Sequence, residues 1–296
     1  MSKALEVFGL KKSYKKGFIP KTREVLKGLD FSLGKASITG FLGANGAGKT
    51  TTIKCILGLT FSNAGQIRFF DGQPLSSAIK SKVGFLPERP YFYEYLTGYE
   101  FLRFYGELSG GMSRNALNDR ISELLKKVDL LPARDVKLRN YSKGMLQKVG
   151  LAQALIHRPE LVILDEPKAG LDPDGRYYMS EIIKDLAAQG TTVFFSSHLL
   201  HDAEKLCENL VIIKSGLVIF EGPTRKLLQR VNSEIEVVFQ KEGKLQSQKV
   251  ASDKELQTQL KELLSQGLMI QEVRRQQPSL EEAFVNLALR DEAGGA

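Results

Sequence analysis

Cysteine is scarce in this chain of 296 residues, and long apolar runs are absent. Cys55 and Cys207 stand alone, with no C-x-x-C pair and no histidine at ligand spacing. Neither a disulfide framework nor a zinc ligand set is indicated, and each cysteine reads as a small buried apolar residue in a reducing compartment. No stretch approaches the roughly 18 uninterrupted apolar residues of a membrane span. The N-terminus, MSKALEVFGLKKSY, has too little apolar sequence for a secretion signal, so the cytoplasm is the expected location. Low-complexity and disorder-type segments are missing too. At 42% hydrophobic and 26% charged residues, a chain of this length can bury a sizeable core, as one large domain plus a small one.

The net charge of +8 is unevenly placed. Residues 1–35 hold nine Lys/Arg against three Asp/Glu, whereas residues 231–296 hold eight against eleven. A basic N-terminal edge could face nucleotide phosphates, anionic lipid or nucleic acid. A solvated lysine-rich hairpin explains it equally well, because no aromatic residues are interleaved at a spacing suited to base stacking.

Against this background one stretch carries chemistry. GANGAGKTT, residues 43–51, fits G-x-x-x-x-G-K-[ST]. Gly43, Gly46 and Gly48 let backbone N–H groups turn inward around a phosphate with no Cβ in the way, and Asn45, Ala47 and Thr51 complete the same loop. Lys49 supplies a point charge for β- and γ-phosphates and Thr50 a hydroxyl for magnesium, at the positive end of a helix. The flanks agree: ASITGFLG reads as a buried strand and TTIKCILGL as a helix.

In chain order, LEVFGL and EVLKGLDFSL alternate as antiparallel strands, separated by a loop KKSYKKGFIPKTR. Tyr14 in that loop, 35 residues ahead of Lys49, could stack on an adenine ring or be a strand-edge tyrosine. QIRFFDGQPL reads as a strand entering a turn at Asp71-Gly72, and KVGFLP as a short buried strand. From Glu88 to about His157 the pattern is helical. One core-facing stripe runs through Phe101, Leu102, Phe104, Tyr105 and Leu108, another through Leu117, Ile121, Leu124, Leu125 and Val128. A further helix begins near Ser142 and stops before Pro159. LVILDEP then looks like a buried parallel strand whose carboxyl end opens into an active site. Adjacent carboxylates at Asp165 and Glu166 repel unless a cation sits between them.

GANGAGKTT, VGFLPE, YSKGM, LVILDEP, AGLDP and SSH occur in the order found in the nucleotide-binding subunits of ABC transporters, and the chain resembles that family over residues 14–198. The resemblance implies an α/β P-loop NTPase core with an antiparallel β subdomain and an inserted helical lobe at about 88–158. The core would span 1–230, followed by a small C-terminal α/β domain at 231–296. It further implies ATP and Mg2+ as ligands, with Asp165 holding the metal directly or through water, a fit for a hard cation. Glu166 resembles the general base or water-positioning group, and His198, 32 residues further on, the switch histidine at the γ-phosphate. His157 and His201 lack such a context and read as structural. Glu88 stands where most of the family carries glutamine; a carboxylate there can still reach magnesium or water, and it resembles an exporter-type branch. The resemblance also implies that two chains, identical or paralogous, close head to tail on ATP with Asp172 at the seam. They would drive an integral membrane permease from its cytoplasmic face, with no nucleic acid expected. A soluble ATPase acting on nucleic acid or a ribosome usually needs two modules or a long coiled-coil insertion, neither of which is present; a binding-only regulator is the other alternative. The C-terminal part reads as strand SEIEVVFQ, helix KELQTQLKELLSQ, strand LMIQEVRR and helix LEEAFVNLALR opened by a Ser279/Glu282 capping box, with no motif that carries chemistry.

The signature of the family, usually LSGGQ, matches Tyr141-Ser142-Lys143-Gly144-Met145, which retains Ser142 and Gly144 for a γ-phosphate but has Lys143 in place of glycine. Leu108-Ser109-Gly110-Gly111-Met112 is the better literal match. However, Ser109 follows a helix and lies 56 residues before Asp165, so it reads as a glycine helix stop. Ser142 lies 23 residues before Asp165 and opens the helix that leads into the acidic strand. Ser142→Ala is expected to abolish most ATPase activity and Ser109→Ala to leave it nearly unchanged, as measured by phosphate release; the reverse pattern would exchange the two assignments.

Overall fold

A computed structural model describes residues 2–16, 21–229, 235–241, 244–250, 252–275 and 279–293. The order is β1 (Lys3–Lys16), β2 (Lys21–Gly34), β3 (Ile38–Leu42), α1 (Lys49–Ile56), β4 (Ala64–Phe69), α2 (Ser77–Lys80) and β5 (Val83–Leu86). Then follow α3 (Gly98–Ser109), α4 (Arg114–Lys127), α5 (Lys143–Ala154), β6 (Leu161–Asp165), α6 (Pro173–Ala188), β7 (Thr192–Ser197), α7 (Leu200–Leu206), β8 (Asn209–Lys214) and β9 (Leu217–Pro223). The chain ends with α8 (Thr224–Leu228), β10 (Ile235–Lys241), β11 (Lys244–Val250), α9 (Asp253–Ser265), β12 (Met269–Arg275) and α10 (Leu280–Ala293). By packing it divides into two compact units, Met1–Gly222 and Pro223–Ala296.

In the first unit a six-stranded sheet runs β5-β6-β7-β3-β8-β9, with the pairs from β5 to β8 parallel. Every residue of β3, β6 and β7 is buried, as expected for strands covered on both faces. A smaller antiparallel sheet, β2-β1-β4, shares one core with α1 and with Phe41, Leu161, Ile163, Phe194 and Ile213 of the large sheet. Phe31, Phe41 and Phe194 join the two sheets, with ring centroids 5.2–5.9 Å apart. Helices α5, α6 and α7 pack on β5, β7 and β3. The alternate strand residues Val162, Leu164, Val193 and Phe195 are buried as well. Because β3, β5, β6 and β7 are parallel, their carboxyl ends gather at one edge, where a crevice for a ligand forms.

Several elements differ from the sequence reading. The strands of the first hairpin run through most of the expected loop, so Tyr14 lies on β1 opposite Arg23, and only 17–20 fall outside the described residues. The stripe on α3 is only partly core: Phe101 and Leu102 are buried, but Phe104 is 43% and Leu108 72% exposed, because α4 and α5 cover one side of the helix alone. The stripe on α4 is buried throughout. α6 went unread, although Pro173 occupies its first turn and Asp172 caps it.

The second unit is an antiparallel sheet, β11-β10-β12, with α9 packed on it through Ile235, Val237, Phe239, Leu256 and Leu263. The Ser279/Glu282 capping box is formed in both directions. β11, KLQSQKV, has no apolar alternation and is exposed along nearly its whole length, so it carries no sequence signal of a strand. Within this unit α8 meets α10.

Removing one ring of the three-phenylalanine junction leaves a cavity that two sheets cannot close. Phe194→Ala is expected to lower unfolding free energy by about 3–5 kcal/mol in denaturant titrations; a loss below about 1 kcal/mol would show that the junction repacks.

Candidate functional site

The loop after β3 wraps a cavity of about 500 Å3, lined by Asn45, Gly46, Gly48, Lys49, Thr50 and Thr51, together with Glu88, Glu166, Ala169, His198, Arg23 and Val25. Two glycines explain the shape of the loop. A Cβ at Gly43 would collide with the Ile213 carbonyl of β8, and Gly48 holds φ 116°, a left-handed geometry that strains other residues. α1 therefore starts at Lys49 with its N-terminus toward the cavity. Gly43 and the buried Ala47 form the floor of the loop rather than its lining.

Lys49 is only 7% exposed; its Nζ donates to the Gly43 carbonyl at 2.7 Å and lies 3.4 Å from Glu166 Oε1. Glu166 directly follows β6 and turns the chain with φ 51°. Its other oxygen is 2.9 Å from His198 Nδ1. With Nδ1–H donating to that carboxylate, Nε2 of His198 is left for another group. Glu166 thus joins the P-loop lysine to the residue after β7.

Asp165, 2% exposed, lies behind this layer. Ser196 Oγ donates to Asp165 Oδ1 at 2.6 Å and accepts from the Glu166 N–H at 2.9 Å, so one hydroxyl locks the ends of β6 and β7 together. Burial pushes the Asp165 carboxyl above its usual range; hydrogen bonds from Ser196 and Thr50 oppose this, and the charges of Glu166 and Glu88 add to it. The donor set of Thr50, Asp165 and Glu88 is all oxygen and net negative, as a hard divalent cation requires. Among the described residues no group of three or more His, Cys, Asp or Glu side chains is placed to hold a metal ion by itself.

The remaining sequence-identified residues lie elsewhere. Ser142, Gly144 and Asp172 line a separate groove of about 360 Å3. Ser142 Oγ caps α5 by accepting from the Met145 N–H at 3.2 Å, and Asp172 caps α6 by accepting from Gly175 N–H at 2.9 Å. Ser109 is not in that groove. Tyr14 is 40% exposed with the Lys12 ammonium 4.8 Å above its ring, and Arg23 and Val25, not Tyr14, line the P-loop cavity. Sequence reasoning missed Arg23, Ser196 and Gln147. Gln147, on α5, donates to the Pro167 carbonyl at 3.1 Å and so ties that helix to the loop after Glu166. The doubled serine before His198 was the available signal for Ser196; the other two had none.

Because the folded state holds the Asp165 proton more tightly than the unfolded chain does, stability falls as pH rises through the interval between the two pKa values. Asp165→Asn is expected to melt higher than the parent at pH 7.5 without divalent cation, with the gap closing as pH falls toward the ordinary aspartate pKa of about 3.9. Thermal scans at both pH values check this; a variant that melts lower at pH 7.5 would contradict it.

The family model described as ABC transporter matches residues 26–169. An uncharacterized ABC transporter ATP-binding protein of Nostoc sp. is 46% identical over 231 residues, covering 76% of this chain and 68% of that protein. A fluoroquinolones export ATP-binding protein of Mycobacterium tuberculosis is 34% identical over 245 residues, covering 82% and 78%. Among solved structures, an ATP-binding subunit of an ABC transporter superposes with a TM-score of 0.68 at 32% identity, covering 77% of this chain and 92% of that one. No helix among the described residues is long and apolar enough to cross a membrane. On this family match and cassette fold, the chain belongs to the ATP-binding subunits of ABC transporters.

Proposed function

We propose that the chain binds and hydrolyses ATP in a pair of cassettes, either two copies or one with a paralogous partner, and that the cycle drives a separate membrane permease. The observation that carries this reading is the placement of Glu166, bridged to Lys49 at 3.4 Å and to His198 at 2.9 Å at the mouth of the P-loop. Lys49 and the loop N–H groups would hold the β- and γ-phosphates; Tyr14 lies outside the cavity lining but pairs with Arg23, which is part of it, and would stack on adenine from that neighbouring position once Lys12 leaves its ring. Thr50, Asp165 and Glu88 would hold Mg2+, which when bound neutralises charge on the phosphate oxygens. Glu166 aligns a water and accepts its proton as the water oxygen bonds to the γ-phosphorus and the bond to the β–γ bridging oxygen breaks. His198, fixed through Nδ1, turns Nε2 to the γ-phosphate.

Ser142, Gly144 and Asp172 line a different groove from Lys49. That separation supports a site completed by the signature of a second chain, with Asp172 near the seam. An exposed apolar surface formed by Tyr91, Tyr95, Phe104 and Leu108 on the helical lobe supports a hydrophobic protein partner, in keeping with a permease on the cytoplasmic face of the membrane. Export as the direction rests on the FLPE variant and on the relative named for fluoroquinolone export. Residues 231–296 would assist dimerisation.

Glu166→Gln keeps the shape and removes the proton acceptor. With Mg2+ and ATP it is expected to elute as a dimer in size-exclusion chromatography and to release phosphate at least about a hundredfold more slowly than the parent. A variant that binds ATP yet stays monomeric would contradict the two-chain site, and one with parental turnover would remove Glu166 from the chemistry.

A further inference from the structure

Behind the site lies an ion pair, buried at Lys168 and partly buried at Asp202, that the reading above does not use. Lys168 Nζ is 3.5 Å from Asp202 Oδ1, and the side chains are 8% and 20% exposed. The second carboxylate oxygen, Oδ2, is buried and has no hydrogen-bond partner among the described residues. Two charges withdrawn from water cost several kcal/mol per ion, so such a pair is a poor source of net stability. Its location is more informative.

Lys168 stands two residues after Glu166, and Asp202 four after His198. The pair therefore joins the same two segments as the Glu166–His198 bond, on the far side of His198. Ser196 locks β7 to Asp165 and Glu166, but His198 lies beyond that lock. The Ser197 hydroxyl bonds to Leu199, two residues further along. α7 begins at Leu200 with no side-chain cap, and the acid in its first turn, Asp202, faces Lys168 instead. Burial lowers the pKa of Lys168, and the carboxylate of Asp202 opposes this.

We propose that Lys168 and Asp202 are positioning residues that strap α7 to the loop carrying Glu166 and thereby set the His198–Glu166 contact. The functional part of this rests on reading Glu166 as the group that aligns water; the geometric part does not.

The test uses the full chain. Lys168→Met keeps most of the stem and removes the charge, and Asp202→Asn keeps the shape of the other partner; should the first fail to fold, the second carries the same test. In each, the His198 ring resonance is expected to move in the direction produced by Glu166→Gln while that of His157 stays in place. Phosphate release should show kcat lower by roughly tenfold to a hundredfold and KM for ATP changed by less than about twofold. The double variant should lose no more than either single one, and the charge exchange Lys168→Asp with Asp202→Lys should restore part of the loss. An unmoved His198 resonance in folded Lys168→Met protein overturns the proposal. A fall in activity matched by an equal rise in KM and a lowered melting temperature overturns it too, since the pair would then serve stability alone. If the parent chain turns over no ATP, the function reading fails, and the histidine spectrum still decides the strap.

Discussion

Lys49 is an ammonium almost removed from water, and the site is organised by what it needs. Its donors are met by the Gly43 carbonyl and by Glu166. The gross attraction of such a pair is about 4 kcal/mol at an effective dielectric of 20. Desolvation offsets much of it, so the contact is exchangeable rather than permanent. Around this cation stand Asp165, Glu166 and Glu88; burial first, and the charges of its two neighbours after it, raise the carboxyl of Asp165. An excess of carboxylate over ammonium suits a triphosphate only if a divalent cation enters with it. On the proposed reading the phosphates would compete with Glu166 for Lys49, and the carboxylate so released would turn to water.

The fold supplies this arrangement by bringing strand ends together. β3, β6 and β7 are adjacent and parallel, so Gly43, Glu166 and His198, each next to a strand end, meet at one edge. Ser196 bridges two of those ends. Gln147 extends the connection to α5, whose N-terminus presents Ser142 in a second groove.

Much of this was legible in the sequence because the motifs fix local geometry. Gly43 and Gly48 announce a loop that only glycine allows, and the apolar run ending in Asp165-Glu166 announces a buried strand with a charged end. The contacts between motifs were not legible. Ser196, Gln147 and Arg23 act across long sequence separations, where pairing depends on sheet order rather than on neighbours. β11 was hidden for another reason: an exposed edge strand needs no apolar alternation. Phe104 and Leu108 misled because helical periodicity reports an apolar stripe, not whether the chain itself covers it.

Whether Lys49 holds the phosphates of ATP is decided by calorimetric titration of the full chain with ATP and Mg2+. Saturable binding is expected for the parent, weakened at least about tenfold in Lys49→Ala. A parent chain that fails to retain ATP with Lys49 intact, or a Lys49→Ala chain that binds it as tightly, would contradict the claim.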